Sequence, residues 1–354
     1  MYLYVSKCIF IFQYHCPPMT SPYTPFIEWL LHAPTGLLRS FAVNDAISIS
    51  QRPAQRTTKI NLHAGQSDSI GYLSFVAKQV KNSFRTLANY HHTKQWLCYW
   101  NTSPQHMQLA SATPRLMQKI YRPYQSIRLS IQDRLALLTS HYNFVLQHGL
   151  GSLTLRAANS PVLLVSFNGK SDTTYEIYLS AMATLDREGE LVLELCSNQQ
   201  LLFSIAFTFC NKELQPCVRV GCLQGPRGDD RQERVRAATR DMFGLRPKNL
   251  VLRLVREIAQ EFGCKNVILV SNEHRVMQYT RKDKLFANYD EFWLESGAIR
   301  RTDGDFQLAC DHIPVTNLEE IPSSKRSEAR KRITLTANAA AAIRGYLSNY
   351  YHPS

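Results

Sequence analysis

No C-x-x-C pair occurs in this chain, and its nine cysteines (Cys8, Cys16, Cys98, Cys196, Cys210, Cys217, Cys222, Cys264, Cys310) are odd in number and irregularly spaced. A zinc site and a disulfide framework both demand regular spacing, so neither is expected, and no metal site is assigned. Cys210, Cys217 and Cys222 fall on apolar, strand-like segments, where free cysteine packs as a small hydrophobe. A reducing cytoplasm is the simpler home. Long hydrophobic runs are also lacking: none approaches the ~20 residues that span a bilayer. The apolar start, Met1 to Pro18, is interrupted by Lys7 and lacks both a basic n-region and a small-residue cleavage site. It reads as a weak anchor at most, or as sequence preceding the true start. A Ser-His-Asp elbow, a Walker loop, an H-E-x-x-H helix and a dinucleotide fingerprint are all missing.

Acidic residues are scarce. Asp and Glu total 28 against 41 Lys and Arg, a formal charge of +13. Such an excess favours acidic partners, whether nucleic acid, an anionic membrane face or a phosphate-bearing ligand, and a plain solvated surface explains it equally well. No nucleic-acid-binding module accompanies the charge, so specific nucleic-acid recognition is not expected. With 44% apolar and 19% charged residues, the composition is that of a globular chain.

Four segments are expected. Residues 1–69 form a poorly defined N-terminal part and linker, ending in the polar stretch Gln51 to Ser69. Residues 70–113 form a helical lead-in, with Leu73, Phe75, Val76, Val80, Phe84 and Leu87 on one face and Trp96, Leu97, Tyr99 and Trp100 packing on the main domain. Residues 114–333 are the main domain, and 334–354 an alanine-rich helical tail. Within the main domain Ser130 and Asp133 open an amphipathic helix that Gly149 ends. Five β-rich runs follow: Val162–Phe167, Tyr175–Ala181, Leu191–Cys196, Leu201–Phe209 and Val218–Leu223. Turns at Asn168-Gly169, Glu188-Gly189 and Ser197-Asn198 leave no room for parallel crossovers. A basic helix over 229–243, a second helix after Pro247 and a doubly covered strand at Asn266–Ser271 complete an α+β fold, a largely antiparallel meander packed with helices.

The strand ending Gly221-Cys222-Leu223 leads through Gln224-Gly225-Pro226-Arg227-Gly228 into a helix. Glycines permit close backbone approach there, and the first N–H groups of a helix can hold an anion, with Arg227 and Arg231 adding charge. A plain strand-to-helix turn is equally economical. A second candidate is Asn288-Tyr289-Asp290-Glu291-Phe292-Trp293. Asp290 or Glu291 could serve acid–base chemistry if desolvated by Phe292 or Trp293, although packing by Tyr289 and Trp293, with Asp290 capping the helix, is the better-supported explanation. His141 is a weak catalytic candidate set against a core role. The basic runs Ser324-Lys325-Arg326 and Arg330-Lys331-Arg332 can meet phosphate or simply form a hydrated helix face.

The meander, loop and helix order around Gln224 to Gly228 is similar to the acyl-CoA site of the GNAT acetyltransferases, whose Gln/Arg-x-x-Gly-x-Gly/Ala loop binds pyrophosphate. Here Gln224 and Gly228 stand four apart rather than three. That likeness implies acyl-CoA, or an acyl-carrier donor, held by Gln224, Gly225, Arg227, Gly228 and Arg231, with Tyr289 near the acceptor. Arg122-Pro123-Tyr124, His141-Tyr142, Gly221-Cys222-Leu223-Gln224-Gly225, Phe243-Gly244-Leu245-Arg246-Pro247-Lys248, Val270-Ser271-Asn272, Asn288-Tyr289-Asp290-x-Phe292-Trp293 and Lys325-Arg326 together resemble the bacterial VirK/YbjX family over roughly Ser74 to Ile333. That resemblance implies an accessory factor of the cell envelope, linked to virulence, surface protein display and cationic-peptide resistance. It would be cytoplasmic or peripheral at the inner membrane, with no settled biochemical activity. Cys222 and the alanine-rich tail depart from the family's pattern.

Overall fold

The computed structural model describes residues 59–62, 83–113, 115–181, 185–212, 215–276, 287–311 and 317–350. By its contacts the chain divides into residues 1–55 and 56–354, and every described residue lies in the second unit. The apolar start, most of the polar stretch and the first turns of the helix expected from Ile70 lie outside the described residues.

Helices α1 (Tyr90–Trp100) and α2 (Pro104–Ala112) open the described part. Trp96 and Trp100 are fully buried, as expected of lead-in aromatics packing on the main domain. Phe84 and Leu87 depart from expectation: they face solvent at 71% and 57% exposure, and it is Thr86 of that turn that is buried. Helix α3 (Ile131–Gln147) begins with a capping box: Ser130 Oγ accepts the Asp133 N–H, and Asp133 accepts the Ser130 N–H. Its buried stripe includes Leu135, Leu138, Tyr142 and Val145, and Gly149 follows at φ +71°. A short helix that no strong sequence signal marks, α4 (Gly151–Asn159), leads to the sheet.

Strands β1 (Val162–Asn168), β2 (Thr174–Ser180), β3 (Leu191–Ser197), β4 (Gln200–Lys212) and β5 (Gln215–Gln224) form the antiparallel meander. Helices α5 (Arg231–Asp241) and α6 (Pro247–Glu261) then carry the chain to β6 (Asn266–Leu269), which pairs parallel to β5. Helix α7 (Tyr289–Glu295), strands β7 (Ile299–Arg300) and β8 (Phe306–Ala309) and helix α8 (Ser323–Ser348) complete the chain. The strand order is β1-β2-β3-β4-β5-β6-β8-β7, an α+β fold. β6 is covered on both faces: Val267 and Leu269 join the main core, and Ile268 joins the cluster under α3.

On the main-core face, α6 packs over β3 to β6 through Leu250, Leu254, Val255 and Ile258. Burying each such side chain contributes ~1.5–3 kcal/mol. Helix α8 runs unbroken across position 333. Its Leu335, Ala339, Ala340, Ile343 and Leu347 enter the same core against β1 and α6.

One cysteine expectation is corrected. Cys210 and Cys217 are joined in a disulfide rather than packing as free thiols. They are directly opposed across the β4–β5 hairpin, in the register Cys210↔Cys217, and so point to the same side of the sheet.

Candidate functional site

The sheet opens where β5 outruns its neighbour. β6 pairs with β5 from Cys217↔Asn266 to Val220↔Leu269, and the Val270 N–H to the Val220 carbonyl is the last bond between them. β5 continues to Gln224. Its pairing with β4 slips at Gly221, from Phe207↔Val220 to Ala206↔Cys222, which makes Gly221 an extra residue in the strand. A Cβ there would lie 2.1 Å from the Glu188 carbonyl oxygen, so only glycine lets the two chains meet.

Past that bulge, main-chain groups of β5 that point toward the missing strand need other partners. Tyr289 supplies them. Its hydroxyl accepts the Leu223 N–H at 2.7 Å and donates to the Leu223 carbonyl at 2.6 Å. The ring is fixed by the Tyr289 N–H bond to Asn272 Oδ1 at 2.9 Å, by the Arg275 guanidinium 3.6 Å from its centroid, and by Trp293. Burial, reinforced by Cys222, raises the phenol far above its ordinary range. Asn288, not Asp290, caps α7: its side chain accepts the Glu291 N–H. Asp290 instead accepts the Asn272 N–H at 2.7 Å and sits 3.9 Å from Arg300, so it braces the loop that holds Tyr289.

Three buried polar groups lie at or beyond the bulge on this part of the sheet. Glu188 is 2% exposed; its Oε1 finds no hydrogen-bond partner among the described residues, and burial pushes its pKa up to about 7 despite nearby Arg187. Ser204 Oγ is likewise buried without a partner. Cys222 contacts the Tyr289 hydroxyl at 3.6 Å. Burial and then the Glu188 charge push its thiol up to about 12, which keeps it neutral and a poor nucleophile. Glu188 is a site residue that sequence reasoning missed, because Glu188-Gly189 reads as a solvated bend.

The loop after β5 is exposed from Arg227 onward. Gly225 makes no hydrogen bond with any described residue and lies against the Phe203 ring. With the Gln224 amide turned so that its oxygen faces Arg227, it accepts from that guanidinium at 3.1 and 3.2 Å. Arg231 donates to the Gly228 carbonyl at 3.2 Å, and Arg234 ties Asp230 to the Arg227 carbonyl. Gln224 to Arg231 thus form one connected turn, and its root is the residue that Tyr289 grips.

His141 is elsewhere and does a similar job. β3 stops at Leu191↔Phe207, leaving the far half of β4 without a neighbour on that edge. His141 Nδ1 accepts the Phe209 N–H at 3.2 Å, and Ser140 Oγ accepts the Asn211 N–H at 2.9 Å. Burial, partly countered by Glu190, lowers the imidazole to about 4, so it is neutral near pH 7. The adjacent interior holds Lys119 and Glu190, both fully buried and 2.6 Å apart, with Tyr142 donating to the second Glu190 oxygen at 2.5 Å.

A family described as "Protein of unknown function (DUF535)" matches residues 73–345, about three quarters of the chain. The chain belongs to this family. Within it, the chain is 28% identical over 244 residues to the uncharacterised protein YbjX of Escherichia coli (strain K12), covering 67% of this chain and 74% of that one. An uncharacterised protein of Haemophilus influenzae is 32% identical over 149 residues, 41% of this chain and 48% of its own. The "Membrane protein LapB" of Mannheimia haemolytica is 22% identical over 210 residues, 58% of this chain and 88% of its own. Among solved structures, a cAMP-binding acyltransferase from Mycobacterium smegmatis aligns over 60% of this chain and 61% of its own, with 9% identity and a TM-score of 0.26, a likeness too slight to carry an argument. Among the described residues of this family member, no helix is long and apolar enough to cross a membrane.

Proposed function

We propose that this family member is an acyltransferase that takes an acyl thioester donor, acyl-CoA or an acyl-carrier protein, at the free edge of β5. One observation carries the proposal: β5 runs four residues past its last pairing with β6, and the main chain beyond Leu223 ends at an unpaired glycine and exposed arginines. A donor arm containing amides would pair with Gly225. Its diphosphate would meet Arg227, the Gly228 N–H and Arg231. Glu188, with a pKa of about 7, is matched to accept a proton near neutrality. The Tyr289 hydroxyl, beside Leu223, would pass a proton to the departing thiolate. His141 has no part in this chemistry, and Asp290 acts only by bracing Tyr289.

Thiol release from acetyl-CoA by the full chain tests the proposal. Turnover in the presence of an acceptor should fall ~100-fold or more in Glu188→Gln, the usual contribution of a general base. Equal turnover in the variant would remove Glu188 from the mechanism, and no turnover with acetyl-CoA or an acyl-carrier thioester would remove the activity.

A second reading follows the envelope role that the VirK/YbjX resemblance implies: an accessory factor that works at the anionic inner face of the membrane. It is supported by basic residues of α8 that lie against the turn after α5: Lys331 Nζ is 5.5 Å from the Phe243 ring, and the Arg332 guanidinium lies beside Gly244. The name of the Mannheimia relative agrees with it. Each basic residue near such a surface contributes ~1 kcal/mol, so Arg330→Ser/Lys331→Ser/Arg332→Ser should bind phosphatidylglycerol vesicles ~100-fold more weakly. Undiminished co-sedimentation of that variant would count against the reading. The two roles are compatible in one molecule.

A further inference from the structure

We infer that a cleft at the hairpin end of β5 docks a small thiol built on amide groups, which opens the Cys210–Cys217 disulfide by attack at Cys217. The site lies at the opposite end of β5 from Gln224 and is independent of the acyl-transfer reading. The cleft measures about 200 Å³, and Gln215, Cys217, Asn266, Ile268, Arg301 and Gln307 line it. Register sets its floor. Cys217 opposes Asn266 and Ile268 opposes Gln307, while Gln215 and Ile268 stand two residues along their strands from Cys217 and Asn266. Side chains two apart or directly opposed share a face, so the Cys217 sulfur points to the side on which the cleft opens.

The two sulfurs are not equally placed. Cys217 lines the cleft and Cys210 does not. β4 and β6 flank β5 on opposite sides, so the cleft over β6 meets Cys217 from the side away from Cys210. Exchange proceeds by attack of a thiolate on one sulfur as the other departs, and access decides which is attacked. Approach to Cys210 from its far side is closed by α3, whose His141 and Ser140 accept the N–H groups of the flanking Phe209 and Asn211. Cys217 is therefore the sulfur attacked, and Cys210 is the leaving group.

The lining sets the class of thiol. Arg301 is neutralised by Asp303, to which its Nε and Nη2 donate at 3.1 and 2.8 Å, and its Nη1 donates to Gln307 at 2.9 Å. Gln307 in turn donates to Asn266 Oδ1 at 2.9 Å. The Asn266 amide nitrogen and the whole Gln215 amide then have no partner among the described residues. They offer donors and an acceptor without net charge, which is the complement of peptide N–H and carbonyl groups. A thiol without amides has nothing to place against them.

The step is redox-neutral. The incoming thiolate sulfur bonds to Cys217 Sγ as the Cys210–Cys217 bond breaks. The electron pair leaves on Cys210, which takes a proton from water. Cys210 Sγ lies 3.4 Å from the Cys217 carbonyl oxygen, which accepts the new S–H. The products are a mixed disulfide on Cys217 and a thiol at Cys210, and attack by Cys210 on the mixed disulfide reverses the step.

Reduced glutathione is the probe. The full chain is treated with it, trapped with iodoacetamide and mapped by peptide mass spectrometry. Glutathione should appear on Cys217 and the alkyl label on Cys210. Cys210→Ser, exposed to oxidised glutathione or to bis(2-hydroxyethyl) disulfide, measures the preference for amides. The ratio of modification at Cys217 to that at Cys98, a free and exposed cysteine, should be roughly tenfold or more higher with glutathione. Gln215→Ala, at an exposed position, should remove most of that preference. If Cys210→Ser lowers the melting temperature sharply, the rate at which glutathione and 2-mercaptoethanol open the wild-type disulfide, at equal thiolate concentration, carries the same comparison. Glutathione on Cys210 with the label on Cys217, or equal ratios for the two reagents, would overturn the inference. So would a preference that Gln215→Ala leaves intact, or a map showing Cys98 modified and Cys217 untouched.

Discussion

The Tyr289 hydroxyl holds both main-chain groups of Leu223, at 2.7 Å from its nitrogen and 2.6 Å from its oxygen, and so completes the edge of β5 where β6 has already turned away. Tyr289→Phe removes both partners at once inside a buried site. The variant should lose ~2–6 kcal/mol of stability, since each orphaned buried group costs ~1–3 kcal/mol. Amide exchange at Leu223 should quicken beyond what that global loss explains. Exchange at Leu223 unchanged relative to its neighbours would show that the bonds contribute little.

Glu188 makes stability depend on pH in an unusual direction. Its folded pKa of about 7 lies above the ordinary 4.5, so the native state holds the proton more tightly than the unfolded chain. Stability from this group is therefore full below about pH 4.5 and declines as pH rises through about 7. Glu188→Gln keeps a neutral side chain at every pH. Its melting temperature relative to wild type should rise between pH 5 and pH 8, by chemical denaturation or calorimetry, and a flat difference would contradict the assignment.

Lys119 and Glu190 form a buried pair that tolerates no half-measure. Burial alone would raise the Glu190 carboxyl, but Lys119 and then His141 outweigh it and hold the group below its usual range. Lys119→Met should cost ~3–5 kcal/mol by stranding a charge, and Lys119→Met/Glu190→Leu should recover much of that loss. Additive losses in the two single variants and the double would show that the pair is not coupled.

The disulfide closes a short loop within one hairpin. Chain-entropy arithmetic for about seven residues gives ~2 kcal/mol. Cys210→Ser/Cys217→Ser, measured against the oxidised protein, should show a loss of that order. Reductant should lower the melting temperature of the wild type and leave that of the variant unmoved.

Much of this was legible in the residues, and the limits have physical causes. The capping box at Ser130 and Asp133, the stripe Leu250, Leu254, Val255 and Ile258, and the close turns between β1 and β5 are local patterns, and local patterns set local structure. β7 and β8 were not visible, because two- and four-residue strands carry too little alternation. The Cys210–Cys217 bond follows once the register of β4 on β5 is known, since it sets the two residues opposite each other. The site divides the same way. Gln224 to Gly228 and Tyr289 announced themselves as a glycine-rich turn and an aromatic cluster. Their union through Leu223 spans 66 residues and depends on where β6 ends, which no window of sequence records. Glu188 looked like a solvated bend because its burial comes from the Gly221 bulge on another strand.

Hydrogen–deuterium exchange of the full chain with and without coenzyme A bears most directly on the free edge of β5 as a donor site. Protection on binding should concentrate in peptides covering Leu223 to Arg231 and α7, and should vanish in Tyr289→Phe. Binding of coenzyme A that protects other segments and leaves Leu223 to Arg231 exchanging at its free rate would contradict the account.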